Sequence, residues 1–189
     1  MKKVIAIVTL WLAATAFTAI DTWKNDKPHS QLGFTVTHLG INDVSGTFND
    51  FDVTVQSAKE DFSDAVFELT AKVASIDTRV EARNNHLKSP DFFDAEKYPE
   101  MTFKSTAIKK AGKSAYALSG NLTIHGVTKP VTLHLVYRGK TTNPMSNAVT
   151  VGFQLTGNIK RSDFSVGSKF PEAVISDIVR IKADGEFTK

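Results

Sequence analysis

Apolar and polar positions alternate along most of this chain. From His29 to Leu39, Ser30, Leu32, Phe34, Val36 and His38 share one face while Gln31, Gly33, Thr35 and Thr37 share the other. That period of two marks a strand with one dry face and one wet. A second strand over Val44–Val55 shifts its apolar phase by one residue at "FNDF", which predicts a β-bulge there. Ala65 to Val73 read as a third strand, and Met101 and Phe103 begin a fourth. Tyr116, Leu118, Gly120, Leu122 and Ile124 form the inner face of a fifth, joined through "HGVTKP" to a sixth bearing Val131, Leu133, Leu135 and Tyr137. Val149 to Leu155 give a seventh strand and "ISDIVRIKADGEF" an eighth.

Eight successive strands with polar outer faces suggest a meander closed into a barrel, since closure removes both exposed edges; a two-sheet sandwich is the alternative. At about 3.3 Å per residue and a tilt near 40°, eleven-residue strands make a barrel roughly 28 Å tall. One segment departs from alternation. Thr78 and Glu81 have the spacing of a capping box, so a helix is predicted from Arg79 to about Lys88, stopped by Ser89-Pro90, which starts a second helical turn. Phe92 and Phe93 follow side by side and, on this reading, cannot both face the same way; at least one is expected over a barrel mouth.

The first twenty residues change the picture. Lys2 and Lys3 precede an uncharged run from Val4 to Ile20 with small residues near its end, the pattern of a secretory signal peptide over 1–19, cleaved after residue 16 or 19. The remaining 20–189 is read as a single barrel domain. An uncleaved anchor is the lesser reading, because about seventeen apolar residues lie at the short limit for a span. No cysteine is present, so neither lipoprotein attachment nor a disulfide framework is available. The net charge of +3 falls to +1 without Lys2 and Lys3, and the other basic residues are mixed with acids. Nucleic acid is therefore not an expected partner.

No nucleophile elbow, zincin motif, phosphate-binding loop or dinucleotide fingerprint occurs. The five histidines, His29, His38, His86, His125 and His134, lack the close spacing of a helical metal site; a site from His38 and His86 is the lesser reading, and no metal or cofactor is expected. By alternation His134 faces outward. His38 ends an apolar row: it is either a hydrogen-bonded core histidine near a strand end or a polar contact at one end of a ligand tube. In "IKRSDFSVGSKFP" a local Arg161–Asp163 salt bridge competes with a basic rim of Lys160, Arg161 and Lys169 for an anionic head group. With about eight strands the interior is either filled by side chains or holds one small ligand.

The blocks "HSQLGFTVTH", "VSGTFNDF", "RNNHLKSPDFFDAEKYPEMTF", "GNLTIHGVTKPVTL" and "IKRSDFSVG", in this order across Trp23 to Lys189, resemble the YceI-like family of bacterial periplasmic proteins. The resemblance implies an all-β, extended eight-stranded antiparallel lipocalin-like barrel, with a short helix and helical turn between strands three and four. It also implies a periplasmic, non-enzymatic protein that holds a polyisoprenoid or other long-chain lipid, without stable membrane insertion of the mature chain and in some members as a homodimer. Carried over, the lining includes Leu32, Phe34, Val36 and His38 of the first strand, with Phe67, Phe103, Leu122, Leu133 and Phe153 of later ones. The helix-and-turn motif adds Phe92 and Phe93. The position before His86-Leu87, usually acidic in that family, is Asn85 here. A chain of about forty carbons at roughly −0.3 kcal/mol per heavy atom reaches nanomolar-scale affinity. Two readings compete with carriage: a lipid hydrolase or isomerase using His38 or His86 as general base, and a filled barrel acting as a protein-interaction module.

Overall fold

The computed structural model describes residues 19–189. The expected signal peptide lies outside that range except for Ala19. Among the described residues alternation yields ten strands and one helix: β1 (Asp21–His38), β2 (Asn42–Phe48), β3 (Phe51–Ser57), β4 (Val66–Lys72), β5 (Ile76–Asp77), α1 (Glu81–Lys88), β6 (Glu100–Lys110), β7 (Ala115–Ile124), β8 (Val127–Thr142), β9 (Val149–Lys160) and β10 (Ile178–Thr188). β2 and β3 are halves of one strand interrupted at Asn49–Asp50, and a 3-10 turn separates β4 from β5, so the wall has eight staves. Each pairs antiparallel with its sequence neighbour, and β10 closes the ring on β1 from Lys24–Thr188 to Thr35–Arg180. The fold is thus the closed eight-stranded antiparallel barrel expected, with its short helix between the third and fourth staves.

β7 shows why the residues choose this arrangement. Tyr116, Leu118, Gly120, Leu122 and Ile124 are buried inside, while Ser119 and Thr123 on the outer face bond Thr132 and Thr128 of β8 at 2.8 Å. His125 and Gly126 both have positive φ (52° and 74°), so the β7–β8 connection is a two-residue turn whose twist matches the strands it joins. It is shorter than the six-residue loop expected, because Val127 to Pro130 already belong to β8. Pro130 is tolerated there: β8 meets β9 only from His134 onward, so no ladder bond is needed on that side.

Three local expectations need correction. β1 starts eight residues earlier than alternation indicated, because its register with β10 shifts between Asn25 and Ser30 and this bulge scrambles the pattern. The helix begins at Glu81 without a capping box. Arg79 has φ 66° and the Thr78 hydroxyl donates to Asn84 Oδ1 at 2.6 Å instead of capping a backbone donor. Finally, Phe92 and Phe93 both contribute to the wall of one cavity, since they lie in a turn after Pro90, where strand alternation does not apply.

Antiparallel order gathers the β1–β2, β5–β6, β7–β8 and β9–β10 connections at one end, here called the upper end. The lower end is stopped by the loop 58–65, which sends Phe62 into the barrel, 2% exposed. Its ring packs against Trp23, Tyr137 and Phe153, with centroids 5.0–5.8 Å apart. The loop is pinned by Ser57 Oγ and the Ala58 N–H, both donating to the Asp64 carboxylate. Partial burial opposes ionisation there, but these bonds prevail and hold that carboxyl below its ordinary range. The Tyr116 hydroxyl, whose pKa is pushed up by burial and by the Asp61 charge, donates to the Asp61 carbonyl.

Candidate functional site

Above this plug the barrel is hollow. A continuous cavity of about 490 Å³ runs from Phe67, Phe153 and Phe187 at its floor past Leu118, Leu122 and Leu133 to the upper end. Its wall is apolar almost throughout, since the inner faces of the staves supply it. Leu32, Phe34 and Val36 of β1 and Phe103 of β6 belong to that wall, as do His38, Phe92 and Phe93 near the top. The eleven residues assigned to the lining in the sequence therefore border one space.

Two loops clasp each other over the upper end. The Phe92 ring stacks on Phe170, with centroids 4.8 Å apart and planes at 17°, and the His86 ring stands edge-on to both. Phe93 packs edge-to-face on Phe48 at 5.8 Å. Lys169 Nζ reaches Asp91 at 2.5 Å and His86 Nε2 lies 3.4 Å from the same carboxylate, so bonds from Lys169 and His86 hold the Asp91 carboxyl below its usual value. Gly167, at φ +62°, permits this closure: a Cβ there would lie 2.7 Å from Phe92 Cε1.

The second loop is organised by Arg161, 8% exposed. Neither role expected for it holds; it makes no salt bridge with Asp163 and it is no rim charge. Nε donates to Ser176 O at 3.3 Å, Nη1 to Val166 O and Gly167 O at 3.2 and 2.7 Å, and Nη2 to Phe170 O and Ile175 O at 2.6 and 3.0 Å. All five guanidinium N–H groups are spent on carbonyls. Sequence spacing could not show this, because the acceptors lie in a loop without periodicity.

His38 is exposed at the rim rather than inside, and among the described residues its ring has no hydrogen-bond partner. That removes the core-histidine reading. Its backbone does anchor the rim, bridging Ile175. Among the described residues His38 and His86 belong to no metal-like cluster, whereas Asp26, His29 and Glu186 come within 4.8 Å at the β1 bulge, away from the mouth. Among the contributors that sequence reading missed are Phe62, Phe170, and the pair Thr78 and Arg83. Phe62 had a signal, as a lone aromatic in the polar stretch "KEDFSD".

Comparison with known proteins agrees with this geometry. The YceI-like domain model matches residues 23–187. A UPF0312 protein of Photorhabdus laumondii is 40% identical over 157 residues, covering 80% of this chain and 81% of that one. Another, from Staphylococcus aureus, is 35% identical over 162 residues, covering 86% and 91%. Among solved structures, Burkholderia cenocepacia BcnA superposes with TM-score 0.77 at 28% identity over 86% of this chain and 98% of its own. A polyisoprenoid binding domain from Saccharophagus degradans superposes with TM-score 0.68 over 88% and 97%; at 17% identity it speaks to the fold alone.

Proposed function

The chain belongs to the YceI-like family, and from that premise we propose that it binds and carries, or sequesters, a long-chain amphiphile without chemically changing it. The observation that carries this reading is the apolar cavity, stopped below by Phe62, whose few polar border groups lie at the upper end, with Thr78, Arg83, His86 and Arg161, and at the β1 bulge, with Asn25, Ser30, Gln31 and Asp184. Burying each methylene in such a wall is worth about 0.8 kcal/mol. At roughly 30 Å³ per heavy atom, the share a water takes in the liquid, a cavity of about 490 Å³ accommodates at least about sixteen. A fatty-acid-sized chain therefore fits as the cavity stands.

Catalysis is the weaker reading. His38 has no acid partner among the described residues, and Asp91, the acid nearest His86, is engaged by Lys169. The basic, then apolar, N-terminal run supports export to the periplasm as part of this proposal. Native mass spectrometry of the protein purified from the envelope of its own host tests the whole: a bound long-chain lipid, released intact, is expected. The free chain alone, or a cleaved or isomerised product, would overturn carriage. The same spectrum reports whether two chains associate.

The clasp over the mouth gives a kinetic expectation. Phe93 is half-buried and fixed chiefly by Phe48, so Phe93→Ala is expected to speed release of a fluorescent fatty acid on the order of tenfold for a stability cost of about 1–2 kcal/mol. Phe92→Ala removes a buried, stacked ring and is expected to cost about 3–5 kcal/mol, as for aromatic truncation in a core. Stopped-flow release and urea titration measure the two effects separately. Unchanged release from Phe93→Ala would show that the clasp does not gate the tube.

A further inference from the structure

Among the charged groups that border the cavity near its top, Arg83 differs from Arg161. The Arg161 fork is fully spent on carbonyls. Arg83 Nε donates to Thr78 Oγ1 and its Nη2 to Thr78 O, both at 2.8 Å. Thr78 is itself 2% exposed and locked by Asn84, whose Oδ1 accepts from both the Thr78 N–H and its hydroxyl. One edge of the guanidinium is therefore clamped to a rigid, buried residue. The terminal Nη1/Nη2 edge has no partner among the described residues, and no carboxylate lies within ion-pair distance of Arg83. Both Arg83 and Thr78 belong to the cavity wall.

A clamped guanidinium with two parallel N–H groups free is shaped for two oxygens of one anion. Its rotamer entropy is already spent on Thr78, which favours binding. We propose that Arg83 is the head-group determinant of this protein, selecting long-chain ligands that end in a planar pair of anionic oxygens, a carboxylate or a phosphate monoester, over neutral alcohols and amides. Thr78 is its positioning residue. This rests on the carriage reading above and adds the chemistry of the head to it.

The test is competition binding with chains of equal length: hexadecanoate, hexadecyl phosphate, hexadecanol and hexadecanamide, against the parent, Arg83→Gln and Arg83→Lys. The parent is expected to prefer the two anions over the alcohol and amide by at least tenfold. Arg83→Gln is expected to abolish that ratio, and Arg83→Lys, which keeps charge without the fork, to restore it only in part. Hexadecanoate against hexadecyl phosphate distinguishes the two anionic heads. An anion-to-alcohol ratio near one in the parent, or the same ratio in parent and Arg83→Gln, would overturn the proposal. If the parent binds none of the four, carriage itself fails; if it binds hexadecanol as well as hexadecanoate, carriage stands and only the role of Arg83 falls. Melting curves of both variants show whether a lost ratio comes from a lost fold, and Arg83→Lys keeps the question answerable if Arg83→Gln is unstable.

Discussion

Arg161→Met is expected to lower the free energy of unfolding by about 3–5 kcal/mol, because several charge-assisted hydrogen bonds to buried carbonyls are lost together. Methionine fills most of the arginine volume but donates nothing, leaving the carbonyls of Val166, Gly167, Phe170, Ile175 and Ser176 without the partner they have now. Each unsatisfied buried acceptor costs about 1–3 kcal/mol unless it moves to reach water, so the loop is expected to loosen, which caps the total below the simple sum. For a chain of this size a loss of that magnitude lowers the melting temperature by roughly 10 °C. Arg161→Lys, with three donors in place of five, recovers a minor part. Urea titration followed by circular dichroism measures the loss. A change under about 1 kcal/mol would mean that the loop is held by its apolar contacts instead.

Leu122→Trp is the matching experiment on the cavity. Leu122 sits on the inner face of β7 and belongs to the cavity wall. Tryptophan adds about six heavy atoms there, into space that is open rather than packed, so the overpacking penalty of about 1–3 kcal/mol is reduced. If the indole takes the room of only three ligand methylenes, at about 0.8 kcal/mol each, hexadecanoate binding weakens about 60-fold. The dependence on chain length is sharper still. In the parent, affinity is expected to rise about fourfold per methylene until the chain fills the tube and then level off, and in Leu122→Trp to level off several carbons sooner. Isothermal titration with a homologous series of acids measures both plateaus. Coincident plateaus would mean that the chain does not occupy this part of the barrel.

The strands were legible because inner and outer faces of a barrel wall differ in character at every second residue, as in β7, where five buried positions alternate with Ala, Ser, Asn and Thr. Where a bulge inserts residues, as between Asn25 and Ser30, the period is lost and half of β1 went unread. The interruption of the second stave at Asn49–Asp50 was readable from the phase change from Phe48 to Phe51. Thr78 misled because the chain turns at Arg79 (φ 66°) and the helix starts only at Glu81, with Val80 at the cap position; the Thr78 hydroxyl bonds Asn84 instead and becomes the anchor for Arg83. The wall of the cavity followed from alternation together with family resemblance. The devices at its two ends did not, since Phe62, Phe170 and Arg161 act through loop contacts whose partners are set by the closed barrel and not by local spacing.

If the barrel carries lipid as proposed, the floor made by Phe62, Trp23 and Tyr137 dictates how cargo must move. A tube open at both ends passes cargo through itself, so a donor and an acceptor can attach at opposite poles at the same moment. A tube stopped at one pole is a dead-end berth. The tail that enters first is the last to leave, every extra carbon lengthens the one route out, and the giving and receiving surfaces must visit the same rim in turn.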